Sequence, residues 1–268
     1  MANSLESELH YVFGDTLPCA GGSLPVAPGV RWLRMRLPFA LDHINLWLLR
    51  DHEDTPEGRR EGWAIVDCGI DNDDTRAAWE QVFATELQGL PVLRIICTHM
   101  HPDHIGLAHW LTQRWQCRLW ISATDWNAAR AASTAIGDVH SGHGAADFFA
   151  RHGLNDESAL AKVRARSNYY ASMVKQVPTQ YRRLMHGMRL RIGAHVWQCI
   201  AGYGHAPEHI ALHCAEIDWA PEAPAAPTPQ GGAAGLGAAR RPAEWAPEAP
   251  AAPTPQGGAA DLGAARRP

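Results

Sequence analysis

An α/β fold is what this sequence predicts, and three observations predict it. Apolar runs of strand length alternate with segments whose apolar residues recur at helix spacing. The 268 residues are 46% hydrophobic and 19% charged, the balance of an ordinary globular domain. The densest group of chemistry-bearing side chains, Thr98-His99-Met100-His101-Pro102-Asp103-His104-Ile105-Gly106, falls on a strand-to-helix junction. Residues there are positioned by rigid elements without being consumed by packing.

Taken in order, residues 1–30 are punctuated by Pro18, Gly21, Gly22, Pro25, Pro28 and Gly29 and are expected to be irregular. Arg31 to Leu37 mixes basic and apolar side chains as a half-buried strand does, and His43 to Leu49 reads as a second strand. Asp51 to Glu61, with Pro56 and Gly58, is expected to be a charged hairpin loop, and Trp63 to Asp67 a third strand. Thr75 to Gln88 follows a polar start and carries Ala78, Val82 and Phe83 on one side, which predicts a helix. Val92 to Cys97 is the strand leading into the histidine-rich loop. Leu107, Trp110, Leu111 and Trp115 give the helix after it, and Arg118 to Ile121 the next strand.

From Asp125 to about Tyr181 the text is helical and polar, with pieces at Asp125 to Ala132, Ala145 to His152 stopped by Gly153, and Asp156 to Arg166. Met188 to Ile192 and His195 to Ala201 read as a hairpin turned at Gly193-Ala194, and His209 to Glu216 as a last strand. After Asp218 the composition changes. Trp219-Ala220-Pro221-Glu222-Ala223-Pro224 returns at Trp245-Ala246-Pro247-Glu248-Ala249-Pro250, an offset of 26 residues. To the chain end the two copies differ only at Gly235 against Asp261. So little large apolar surface predicts a disordered tail over residues 219–268. The expected organisation is therefore an irregular 1–30, a domain over 31–218 with a helical insertion at about 125–183, and the tail.

The histidine loop has a physical reading. His99 and His101 are two residues apart, so an extended backbone points them the same way. Pro102 favours that extension. Asp103 stands where a helix N-cap belongs, and His104 opens the first turn. Neutral imidazoles and carboxylates at this density are the ligands of zinc and similar ions.

These residues resemble the His-x-His-x-Asp-His motif of the metallo-β-lactamase superfamily. A second block, Gly204-His205-Ala206-Pro207-Glu208-His209, resembles the family's Gly-His pair after a strand, and a third, Ala64-Ile65-Val66-Asp67-Cys68-Gly69, its strand ending in Asp and Gly. The resemblance runs in order from the thirties to about residue 217. It implies an αββα sandwich, here with its second half incomplete. It also implies a metal site of His99, His101, Asp103, His104 and His205, with Asp103 also orienting the attacking water. Asp67 and His209 would stand behind the ligands. One or two zinc ions are expected, with iron or manganese as alternatives. His140 and His143 are read as loop residues outside the site.

The resemblance also implies a bridging aspartate and a last histidine further along, for which nothing after His213 serves; Asp218 comes a strand too early. The repeat begins where the sandwich should continue, so a truncated or frame-disrupted form of a longer enzyme is expected. His99, His101 and His205 suffice for one three-histidine site, whereas Asp103 and His104 alone hold a second ion poorly. The expected activity is metal-dependent hydrolysis of an ester, thioester, lactam or phosphodiester, impaired by the missing ligands. The alternative is a non-catalytic remnant that binds one metal or none. Lys162, Arg164, Arg166, Tyr169, Tyr170, Lys175, Arg182 and Arg183 read either as solvated helix faces or as a rim for a small anionic substrate. A net charge of −4 predicts no nucleic-acid partner, and the lack of a long apolar run predicts no membrane span. Six scattered cysteines and no visible secretory signal point to the cytoplasm.

Overall fold

The structure is a computed structural model that describes residues 8, 11–134, 142–165 and 169–217. Among the described residues, ten strands form two sheets. The larger contains β1 (Ser23–Ala27), β2 (Val30–Arg36), β3 (His43–Thr55), β4 (Gly58–Val66), β5 (Val92–Ile96), β6 (Arg118–Ser122) and β7 (Tyr181–Leu184), lying side by side in sequence order. Its first four strands pair antiparallel, and β4 to β7 pair parallel. The smaller sheet has the order β10-β9-β8, from β8 (Arg189–Ile192), β9 (His195–Gly202) and β10 (His209–His213).

Parallel neighbours need crossovers, and the helices supply them. α1 (Asp73–Thr85) joins β4 to β5, and α2 (Pro102–Ile105) with α3 (Ala108–Trp115) joins β5 to β6. α4 (Ala123–Ser133), α5 (Gly142–Arg151), α6 (Glu157–Arg164) and α7 (Tyr169–Met173) lie between β6 and β7. The central strands are apolar on both faces because both are covered. On one face Leu48, Trp63, Ile65, Ile95, Leu119 and Ile121 pack with Trp79 and Val82 of α1, Leu111 of α3 and Ala129 of α4. On the other, Leu49, Ala64, Val66 and Ile96 pack with Leu190, Ile192, Cys199 and Ile210 of the smaller sheet. The layers are therefore helices, large sheet, small sheet: the α/β class expected. Among the described residues no helix is long and apolar enough to cross a membrane.

Asp51 ties the sheets together. Its buried carboxylate meets the Arg94 guanidinium at 2.6 Å and accepts from the backbone N–H of Gly193, in the β8–β9 turn, at 3.0 Å. Gly193 is required there: its φ is +58°, and a Cβ would lie 2.2 Å from the Arg50 carbonyl oxygen.

Several local expectations change. Residues 23–27, in the stretch read as irregular, pair with β2. The charged segment Asp51 to Glu61 is mostly strand, not loop, because opposite charges sit across the ladder: Glu53 faces Arg60, with a 3.0 Å ion pair. β7 begins where the text read as polar helix ends, a strand where none was expected, and is held by its register with β6. The repeat tail, Asp218 and His140 lie outside the described residues, and His143 is exposed on helix α5 rather than in a loop.

Candidate metal centre

The parallel strands aim their C-terminal ends at one place. Asp67 directly follows β4, Cys97 and Thr98 follow β5, and β6 ends at Ser122, which caps α4 by accepting from the Asp125 N–H. The N-cap of α2 is His101, in extended backbone (φ −60°, ψ 146°), and not Asp103, because Pro102 takes the first helical position and puts Asp103 inside the first turn. The short helix lies backbone-to-backbone on the loop after β4: a Cβ at Gly106 would meet the Gly69 carbonyl oxygen at 2.7 Å and the Asp71 nitrogen at 2.7 Å. From the other sheet, Ile210 of β10 donates its N–H to the Thr98 carbonyl at 2.9 Å, which brings the His205 loop over the first cluster.

Three imidazole nitrogens converge there. His99 Nε2 lies 3.0 Å from His101 Nδ1, His101 Nδ1 lies 3.2 Å from His205 Nε2, and His205 Nε2 lies 3.2 Å from His99 Nε2. Hydrogen bonding among themselves does not account for this triangle. Each nitrogen either carries a proton or a lone pair, and three mutual contacts cannot all be donor to acceptor. At least one pair would be lone pair against lone pair, or proton against proton. Nitrogens about 2.0–2.1 Å from one tetrahedral zinc would stand about 3.3 Å apart, close to the observed spacing. The donor set thus fits a divalent cation.

The surroundings keep the lone pairs available. Burial, and then the neighbouring imidazoles, hold His99 down at about 2, far below its ordinary 6.5. Burial, with His205 next to it, also lowers His101. His99 Nδ1 faces Thr98 Oγ1 at 2.9 Å, and the Thr98 hydroxyl reaches Asp67 Oδ2 at 2.9 Å. This chain leaves His99 Nε2 for the triangle.

His104 is held differently. Its Nδ1 lies 2.9 Å from Asp67 Oδ2, and its Nε2 lies 3.4 Å from Asp103 Oδ2. Burial lowers its pKa, but the charge and hydrogen bond of Asp67 outweigh that and leave it raised. Asp67 takes the left-handed backbone (φ +63°), uncommon outside glycine, and its carboxylate also accepts from the Thr98 N–H at 2.8 Å. It orients ligand-type residues without joining the triangle. Asp103 lies beside His104, outside the triangle. His209, first in β10, sets its ring 5.2 Å from that of His99. Among the described residues, the one group of three or more ligating side chains whose atoms converge is His99, His101 and His205.

Two residues at the site escaped the sequence reading as site residues. Asp125, fully buried, accepts from the Met100 N–H at 2.9 Å, the Glu208 N–H at 2.7 Å and the Ser122 hydroxyl at 3.0 Å. Tyr170, assigned to a substrate rim, instead donates its hydroxyl to the Met100 carbonyl at 2.5 Å. Its phenol is pushed well above the usual range by burial. The signal for Asp125 was present as Ser122-x-x-Asp125, a capping-box spacing, but that pattern says nothing about a partner beyond the helix. The rest of the expected rim is partly spoken for: Arg164 pairs with Glu157, Lys175 lies 3.6 Å from Asp71, and Arg182 lies over Trp120.

The comparisons with known proteins agree with this geometry. The family described as the metallo-beta-lactamase superfamily matches residues 42–180. The crystal structure of a beta-lactamase domain protein from Burkholderia ambifaria is similar, with 52% identity and a TM-score of 0.70, over 79% of this chain and 58% of that one. A metallo-beta-lactamase family protein from Thermus thermophilus shares the fold, with 24% identity and a TM-score of 0.53, over 69% of this chain and 56% of that one. The chain thus spans less than two thirds of either protein's length. None of the curated proteins compared with it matches. With its metal-type histidine triangle at the ends of the parallel strands, this chain belongs to the metallo-β-lactamase superfamily.

Proposed function

We propose that this chain is a metal-dependent hydrolase in which His99, His101 and His205 hold one divalent ion, zinc first, with iron or manganese as alternatives. The substrate class is a small molecule with an ester, thioester, lactam or phosphodiester bond. The observation that carries the reading is the triangle of nitrogens at 3.0, 3.2 and 3.2 Å. When bound, a divalent cation supplies Lewis acidity at that point.

The chain's own residues do the rest. Asp103, beside His104 and partly open to solvent, would accept a proton from an attacking water and orient it. Asp67 takes the His104 Nδ1 proton into a 2.9 Å hydrogen bond, which turns Nε2 toward Asp103. The basic side chains of the insertion give a preference for anionic substrates little support, since Arg164 and Lys175 already face carboxylates. We also place the protein in the cytoplasm: its six cysteines are free thiols, as suits a reducing compartment.

The second reading, a non-catalytic remnant that binds one ion or none, is favoured by one observation: Asp103 and His104 are joined by no third converging ligand among the described residues. The deciding experiment is metal content by mass spectrometry, with turnover of a generic thioester and a phosphodiester, for the wild type and His101→Ala. One ion per chain and turnover, both lost in the variant, is the expected result. No turnover, with or without an ion, selects the second reading, and turnover by a wild type that takes up no metal sinks both.

A further inference from the structure

We infer that Asp125 and Tyr170 are positioning residues for the metal centre, acting together on the single residue that separates two of its ligands. The inference rests on the three-histidine reading above and adds what sets its spacing.

Met100 stands between His99 and His101. Its N–H is held by Asp125 Oδ1 at 2.9 Å and its carbonyl by the Tyr170 hydroxyl at 2.5 Å. A residue fixed at both its N–H and its C=O has little freedom to rotate. The two flanking imidazoles therefore keep one orientation relative to each other. Asp125 Oδ2 accepts from the Glu208 N–H at 2.7 Å, three residues past His205. One carboxylate thus spans both segments that supply nitrogens to the triangle, segments more than a hundred residues apart in the chain. A second contact supports the same joint: Thr124, the preceding residue, donates its hydroxyl to Glu208 Oε2 at 2.8 Å.

The carboxylate is the side chain this arrangement calls for. Every group facing it is a donor: two backbone N–H groups and the Ser122 hydroxyl. An amide at the same place would turn one acceptor into a donor, and either Met100 or Glu208 would lose its partner. Either loss loosens one of the two segments relative to the other. Tyr170 reaches the loop from α7, so the insertion between β6 and β7 contributes to the site through the backbone of the ligand loop.

The test compares zinc affinity, by chelator competition, and metal-free melting temperature for the wild type, Asp125→Asn, Tyr170→Phe and Asp51→Asn. Asp51 is the control: it is equally buried and also accepts a backbone N–H across the two sheets, but it meets Gly193 rather than the ligand loop. Asp125→Asn is expected to bind zinc about tenfold or more weakly, the range for groups that orient metal ligands. Tyr170→Phe should weaken it in the same direction. In cobalt-loaded Asp125→Asn the ligand-field bands should shift, because the angles at the ion change. Asp51→Asn should melt earlier and keep the wild-type affinity. Wild-type affinity in Asp125→Asn, or equal weakening in Asp51→Asn, overturns the inference. Should Asp125→Asn fail to fold, an unchanged affinity in Tyr170→Phe overturns it instead. A wild type that takes up no zinc defeats the metal reading itself, and this inference with it.

Discussion

The two halves of the histidine cluster are made of the same side chains and are built in opposite ways. His99, His101 and His205 come from two segments of different sheets and turn three nitrogens to one point. Asp103 and His104 are sequence neighbours on one short helix, and their nearest ligand-type partner, Asp67, is taken up by hydrogen bonds to Thr98 and His104. His99 of the first half is kept neutral by burial, whereas His104 of the second is kept basic by a carboxylate. Density of ligand-type residues therefore does not make a site. Convergence from separate elements does, since it leaves an ion between the groups instead of a hydrogen bond.

Breaking the first half has the largest expected effect. His101→Ala should reduce tightly bound zinc from one ion per chain to nearly none, read by mass spectrometry after dialysis. Two tight ions per wild-type chain in isothermal titration would erase the distinction between the halves. Asp103→Asn comes next. It should keep the tight ion and lower kcat by about 10²- to 10⁴-fold, the share of a positioned acid or base. Loss of the ion together with activity would move Asp103 into the first half.

Asp67→Asn should lower the His104 pKa, followed by imidazole proton shifts in NMR, because the charge that raises it is removed. An unchanged titration would mean that Asp67 does not govern that ring. The smallest expected effect is on stability, and here His99 and His104 respond to pH with opposite sign. His99 in the metal-free fold sits at about 2 against 6.5 in a free chain, so between those values the unfolded chain binds the extra proton. Stability from this residue is lost as pH falls below 6.5. His104 is raised, so its contribution is complete below 6.5 and fades as pH rises through its folded value. Melting curves of metal-free protein should flatten on the acid side in His99→Asn and on the alkaline side in His104→Asn.

The ligand loop was legible because its residues are adjacent, and strand, proline and helix start leave little choice of direction. His205 was legible only through resemblance, since nothing local marks it. The Asp51 to Glu61 segment was misread as loop because charge was counted along the chain rather than across a ladder. Asp125 and Tyr170 were not legible as site residues. One looked like a helix start and the other like a surface aromatic, and their partners lie 25 and 70 residues away.

The sequence by itself determined the chemistry: which side chains carry lone pairs for a cation, and that they stand where strands give way to helices. Tertiary structure alone decided which of them meet. The strand ends of one sheet and a loop of the other must be brought into register before three nitrogens share a point. That register is carried by backbone N–H and C=O groups, which nearly every residue type has and no sequence pattern displays.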